Sequence, residues 1–256
     1  MKKILTIQDI SCIGKCSLTT ALPIISAMGI ETCVIPTAVL SNHTAFSSFT
    51  FRDLTEDIPG IFDVWKKEGF QFSAVYSGYL GSREQIDLVR RAWQDFGGKD
   101  ALKIVDPAMA DHGKLYTGFT EAFAAQMAAL CGQADLILPN LTEGCLMTGH
   151  DYREDGDESY YKELLKKLGD LGAGTVVMTE LVLNPILEEL SLDIDTEIAA
   201  MTAAHFGAFE TVFRTPGAGR CQSMVAGLPE RSGEGDETEE EYGPALWLPY
   251  FGFPVD

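Results

Sequence analysis

Two acidic residues, Asp106 and Glu143, are where chemistry is first suggested in this 256-residue chain. Asp106 closes the apolar run Leu102–Asp106, and Glu143 stands just beyond Pro139-Asn140. Two separated hard-oxygen ligands acting through water suit Mg²⁺ carrying the phosphates of a nucleotide. The chemistry implied is phosphoryl transfer, and rival signatures are missing. After the first strand-like segment the chain reads Asp9-Ile-Ser-Cys-Ile-Gly14, not the G-x-G-x-x-G of a dinucleotide fold. Gly14-Lys15-Cys16-Ser17 lacks the upstream glycine of a P-loop and has Cys in its Ser/Thr position. His43, His112, His150 and His205 are single and far apart, and no G-x-S-x-G nucleophile elbow occurs.

Such carboxylates need a scaffold. Residues 3–8, 32–36, 74–77, 102–106, 134–139 and 174–179 read as short strands. Between them lie helical patterns at 17–28 (stopped by Gly29), 59–69, 82–96 (a capping-box start at Ser82 and Gln85), 120–130, 142–148 (capped by Thr142) and 160–171. In the second helix Ile61, Phe62 and Trp65 share one face. Strict βα alternation predicts a mostly parallel sheet with helices on both faces, and no internal repeat is evident. Polar residues gather where the strands end: Gln8-Asp9-Ile10-Ser11, Ser77-Gly78-Tyr79, Asp106-Pro107, Pro139-Asn140 and Thr179-Glu180. Any one of these is ordinary turn chemistry, but five together suggest a ligand site along the carboxyl edge of the sheet.

The chain carries 38 acidic and 19 basic residues, a net charge of −19, which argues against a nucleic-acid or anionic-membrane partner. Apolar residues make up 46 %, enough for a large core. No apolar run approaches the roughly 20 residues of a membrane span, and no leader pattern opens the chain. Six scattered cysteines without a C-x-x-C pair read as reduced thiols in a cytoplasmic protein, with Cys12, Cys16 and Cys145 taken as packing groups. Residues 1–183 hold 24 acidic and 16 basic side chains, and residues 184–256 hold 14 and 3. The composition therefore changes near residue 184, and the expected organisation is a main body over 1–183, a continuation of the same domain over 184–219 and an acidic tail over 220–256.

Six segments carry a resemblance. They are Thr6-Ile-Gln-Asp-Ile-Ser-Cys-Ile-Gly-Lys-Cys-Ser-Leu-Thr19, Pro36-Thr-Ala-Val-Leu-Ser-Asn-His-Thr44, Phe49-Thr-Phe-Arg-Asp-Leu54, Ser77-Gly-Tyr-Leu-Gly-Ser82, Ile104-Val-Asp-Pro-Ala-Met-Ala-Asp111 and Pro139-Asn-Leu-Thr-Glu143. In this order they closely resemble the bacterial pyridoxal/pyridoxamine kinases of the ribokinase-like superfamily, over about residues 1–182. The resemblance implies a three-layer α/β/α fold with a mostly parallel central sheet. It also implies a homodimeric transferase that uses Mg²⁺-ATP to phosphorylate the 5′-hydroxyl of pyridoxal, pyridoxamine or pyridoxine, in vitamin B6 salvage to pyridoxal 5′-phosphate. By the same resemblance Ser11, Thr44 and Tyr79 contact the vitamer. Asp106, Asn140, Glu143 and Thr179 hold the nucleotide, with Asp106 and Glu143 near the metal. Ser11 as a helix cap, His43 as a loop hydrogen-bonder, Tyr79 as a core aromatic and Asp151–Glu158 as a solvated loop are the bland readings. Ala45-Phe46 stands where relatives often carry Gln or Gly, which bears on substrate preference.

The pattern breaks late. The family motif Gly-x-Gly-Asp supplies a backbone anion hole and an Asp that takes the substrate proton. Here the nearest match is Gly217-Ala218-Gly219-Arg220, with Arg in the base position. Arg220-Cys-Gln-Ser can be encoded CGA-TGT-CAG-TCN, which read one base later gives Asp-Val-Ser. An out-of-frame tail from 220 and a diverged paralogue are both open on this reading, and impaired turnover follows from either. A catalytically inactive B6-vitamer or nucleotide-binding protein and a hydroxymethylpyrimidine kinase are the alternatives.

Overall fold

A computed structural model of the chain describes residues 2–44 and 46–179. Gly217, Gly219 and Arg220, and the expectations for 184–219 and 220–256, lie outside the described residues.

The N-terminal strand β1 (Lys3–Ser11) is followed by α1 (Leu18–Ala27), β2 (Glu31–Leu40), β3 (Phe51–Asp53), α2 (Ile58–Glu68), β4 (Phe72–Ser77) and α3 (Arg83–Phe96). Next come β5 (Gly97–Val105), the short hairpin strands β6 (Ala110–Asp111) and β7 (Lys114–Leu115), α4 (Glu121–Cys131), β8 (Leu136–Ile137), α5 (Leu141–Thr148), α6 (Glu158–Asp170) and β9 (Thr175–Val176). The main sheet has seven strands in the order β3-β2-β1-β4-β5-β8-β9, all parallel except the edge pair β2–β3.

This order fixes where a ligand can enter. From β1 the chain moves one way to β2, and from β4 it moves the other way through β5 and β8 to β9. Right-handed crossovers then place the connecting helices on opposite faces, and a crevice opens between β1 and β4 at their carboxyl ends. The packing agrees. Ile4, Tyr76, Ile104 and Leu136 pack with Ala21 and Ile25 of α1 on one face. Leu5, Ile7, Val75, Val105 and Ile137 pack on the other with side chains of α2 to α6, including Phe62, Ile86, Met127, Cys145 and Leu164. Adjacent residues of each strand thus feed two separate cores, the pleat of a sheet buried on both sides.

The alternating pattern is realised with differences at the ends. The second helix has Pro at its start and ends on Gly69, at a left-handed φ of 73° that favours glycine. Gly29, at φ 76°, follows α1 in the same way. Thr142 does not cap α5. Asn140 does, accepting from the Glu143 amide, while the Glu143 side chain accepts from the Asn140 amide. Glu143 sits three positions after Asn140, as the capping box demands, and the Thr142 hydroxyl accepts from Gly113 N instead. Ser82 caps α3 by accepting from Gln85 N, but the Gln85 side chain reaches Gly81 N and not the cap. Ser11 caps nothing; its hydroxyl donates to Asp9 Oδ2. Strands β3, β6 and β7, of two or three residues each, are additions to the pattern read from the sequence. Cys12 is exposed and so is not a packing group, whereas Cys145 is buried against Tyr160.

Candidate functional site

The strand ends form one continuous rail. Past the last paired residues, the Asp106 amide donates to Ser77 O, Leu138 N to Val105 O, and Thr179 N to Pro139 O, at 2.8 to 3.0 Å. Gly78 N donates to Ile7 O at the β1 side. Five expected site segments therefore stand side by side along the carboxyl edge: Asp9–Ser11, Ser77–Tyr79, Asp106, Asn140–Glu143 and Thr179.

The end beside β1 is built by a register change. Gln8 pairs with Pro36 but Ile10 pairs with Val39, so the extra residue lies in β2. Such a bulge bends the strand and turns its last side chains out of the regular pleat. Gly78 passes so close that a Cβ there would lie 2.9 Å from the Gln8 side-chain amide. The buried Gln8 Nε2 donates to Thr6 Oγ1 at 2.8 Å. Asp9 is also buried, and burial raises its carboxyl pKa, opposed by hydrogen bonds from Ser17 and Ser11. Ser17, at the N-cap position of α1, makes no side-chain cap hydrogen bond, and its hydroxyl helps to hold the Asp9 pKa down against burial. Tyr79 is half-buried. Its ring lies 5.5 Å from that of Phe119. Burial, then the negative fields of Asp9 and Asp53, push its phenol pKa up. Asp53 is a contributor missed in the sequence; antiparallel β3 carries it opposite Ala38 and toward this end of the site.

The loop after β2 folds over the same end. His43 N donates to Ile13 O, and Cys12 N to Leu40 O. The His43 ring lies against Gly14 so closely that a Cβ on Gly14 would sit 2.1 Å from its Cδ2. Asn42 and Ser41 tie the loop internally, Asn42 Nδ2 to Ser48 O and Thr50 N to Ser41 Oγ, both at 2.9 Å. Thr44 rides on this loop with an exposed side chain, and the neighbouring Phe46 ring lies 4.7 Å from that of His43.

The other end centres on Asp106. Glu143 is only 2 % exposed, and both its oxygens are engaged, Oε1 by Met109 N at 3.1 Å and Oε2 by Asn140 N at 2.9 Å. Asn140 Nδ2 donates to Ala110 O at 2.8 Å. The loop that follows Asp106 is thus clamped to the α5 N-terminus at Met109 and Ala110. Glu143 and Asp106 lie near enough to raise the pKa of the buried Cys131, after the larger effect of burial. Among the described residues no group of three His, Cys, Asp or Glu side chains is placed to hold a metal. Asp106, partly exposed, can present an oxygen through water; Glu143, with both oxygens taken by main-chain amides, is placed to orient. Among the described residues no helix is long and apolar enough to cross a membrane.

Comparison with known proteins agrees with this geometry. The phosphomethylpyrimidine kinase family profile matches residues 19–205. A pyridoxal kinase of Histophilus somni is 30 % identical over 152 residues, covering 56 % of this chain and 52 % of its own length. The chain therefore spans about half the length of the curated relatives it matches. Among solved structures, a Bacteroides thetaiotaomicron protein assigned as a phosphomethylpyrimidine kinase and crystallised with pyridoxal is 43 % identical, with a TM-score of 0.67 over 70 % of this chain and 63 % of that one. The pyridoxal kinase of Lactobacillus plantarum is 33 % identical, with a TM-score of 0.63 over 70 % and 64 %. The seven-stranded, mostly parallel sheet is the one expected of that fold. The chain belongs to the phosphomethylpyrimidine kinase family, as a pyridoxal-kinase-like member of the ribokinase-like superfamily.

Proposed function

We propose that this chain binds a B6 vitamer at the β1/β4 crevice and Mg²⁺-ATP beside Asp106, as the two halves of an ATP-dependent phosphorylation of the vitamer 5′-hydroxyl. The observation that carries the reading is the hydrogen-bonded rail that sets Asp9–Ser11 and Tyr79 in line with Asp106, Asn140 and Thr179. The 43 % identical Bacteroides protein, crystallised with pyridoxal, supports the vitamer as the ligand of the first half. Ser11, Thr44 and Tyr79 would contact the vitamer ring and its substituents. Asn140 and Thr179 would face the nucleotide. Asp106 would hold Mg²⁺ through water, and Glu143 would keep the Asp106 loop in place through Met109 N. The metal, when bound, would neutralise charge on the transferring phosphoryl group. The chain is proposed to act in the cytoplasm and as a homodimer, with the exposed Phe46, Phe49 and Phe51 beside edge strand β3 as apolar surface to cover.

Arg220 stands at the expected base position. A guanidinium with a pKa above about 12 accepts no proton. Loss of a positioned general base costs on the order of 10²–10⁴ in rate. We therefore propose binding with impaired turnover. The test is a coupled ATPase-type assay on the chain and on Arg220→Asp, with pyridoxal, pyridoxamine, pyridoxine and hydroxymethylpyrimidine as substrates, beside equilibrium binding of each. Pyridoxal binding with slow turnover is the expected result. A parent rate comparable with that of an intact relative overturns the impairment, and absence of vitamer binding overturns the reading. The family profile favours hydroxymethylpyrimidine as the second substrate class, and preferential binding of it would establish that alternative.

A further inference from the structure

One buried side chain joins three segments that the sequence keeps far apart. Gln85, in the first turn of α3, is 1 % exposed. Its Oε1 accepts from Gly81 N at 2.7 Å. Its Nε2 donates to Thr37 O at 3.1 Å and to Thr55 Oγ1 at 2.9 Å. The amide orientation is unambiguous: reversed, it would set a donor against the Gly81 N–H and an acceptor against the Thr37 carbonyl. Thr37 occupies the bulged stretch of β2, Thr55 the link from β3 to α2, and Gly81 the turn from β4 to α3. A second bond closes the circuit, Thr37 Oγ1 to Tyr79 O at 3.3 Å. The Tyr79 ring edge and hydroxyl rest 3.8 to 3.9 Å from the point where a Gly81 Cβ would stand. So the turn that carries Tyr79 is pinned from both ends to β2, and through Thr55 to the segment that follows Asp53.

We infer that Gln85 is a positioning residue for the vitamer half of the site: it fixes the Ser77–Ser82 turn, and with it Tyr79, at the height of Asp9 and Asp53. This rests on the vitamer reading above. Gln85 touches no substrate and acts through Gly81 and Thr37. Its side chain contributes nothing to the nucleotide half, where Met109, Asn140 and Glu143 make their own bonds. Without it, the Gly81 N–H loses its partner and the turn samples other positions. Apparent affinity falls by the fraction of time the turn is correctly placed.

Gln85→Met keeps the length and approximate volume and removes all three bonds. Thr55→Val removes one of them at a half-buried position and should fold even if the first variant does not. Pyridoxal and Mg²⁺-ATP dissociation constants are measured for the full chain and both variants, with thermal unfolding as the control. The expected result is a pyridoxal Kd raised about tenfold in Gln85→Met and by less in Thr55→Val, with the Mg²⁺-ATP Kd unchanged. Unchanged pyridoxal binding in both variants, or parallel weakening of both ligands, overturns the inference while leaving the vitamer reading standing. Failure of the parent chain to bind pyridoxal overturns both, and so tells the two failures apart.

Discussion

Replacing Glu143 by Gln exchanges one carboxylate oxygen for an NH₂ group of nearly the same size, at a site where both oxygens accept main-chain N–H bonds. One of the two amides, Met109 N or Asn140 N, must then face a donor. Hydrogen bonds to a charged acceptor contribute about 1.5–3 kcal/mol each, and a buried N–H left without an acceptor costs about 1–3 kcal/mol. Removing a buried charge recovers part of its desolvation penalty, which offsets some of this. The net expectation is a loss of about 2 kcal/mol for Glu143→Gln and about 4 kcal/mol for Glu143→Ala, where both amides are orphaned. For a chain of this length each kcal/mol lowers Tm by about 2–4 °C, so the Gln variant should melt about 4–8 °C lower. Urea unfolding should show the midpoint shifted with the slope unchanged. The cap partner sharpens the test, because the Asn140 side chain accepts from Glu143 N. Asn140→Ala combined with Glu143→Gln should lose less than the sum, with a coupling of about 1 kcal/mol. A Glu143→Gln variant within 0.5 kcal/mol of the parent, or strict additivity with Asn140→Ala, would refute the clamp.

Two further substitutions probe the β1 end. Gly14 sits at φ 106° with the His43 ring against it, so Gly14→Ala should destabilise by more than about 1 kcal/mol and displace the Ser41–Thr50 loop. The double variant with His43→Ala should recover the steric part but not the backbone part; full recovery would show that the backbone is unstrained. Asp9 gives a pH signature. Its folded pKa lies above the unfolded value, so the folded state binds this proton more tightly. Its contribution is most favourable below the unfolded pKa and is lost as pH rises through the folded pKa. Asp9→Asn should therefore gain stability relative to the parent at pH 7 and not at pH 3.5, in urea unfolding across that range. Parallel pH profiles would contradict the assignment.

Local and periodic features of this molecule were legible in the sequence. The βα alternation is a periodic pattern repeated along the chain, and the glycine stop after α1 and the Ser82 cap each depend on residues within one turn of one another. The strand-end polar residues were legible as a set because a parallel sheet has one carboxyl edge. Strands β3, β6 and β7 were not, since two or three residues carry no period. Asn140 and Thr142 are both good capping residues; what separates them is the spacing to Glu143, which stands three positions after Asn140 and only one after Thr142. Gln85 looked like half of a capping box. Its partners lie 30 and 48 residues away, across strands whose adjacency only the fold creates. Asp53 entered the site for the same reason.

The central place of β1 has a consequence for how the protein is made. Strand β1 is hydrogen-bonded on both edges, to β2 about thirty residues later in the chain and to β4 about seventy residues later. The early segment Lys3–Leu40 can pair locally, but its second edge stays open until Phe72–Ser77 has been synthesised. During that interval a strand rich in Ile and Leu presents an unpaired edge, the period in which chaperone binding or edge-to-edge association competes with folding. Arrival of β4 closes that edge and sets Gly78 against Ile7, with the Tyr79 turn left to be fixed when Gln85 of α3 follows. The β1/β4 end of the rail can thus form in the nascent chain before the segment bearing Asn140 and Thr179 has been translated.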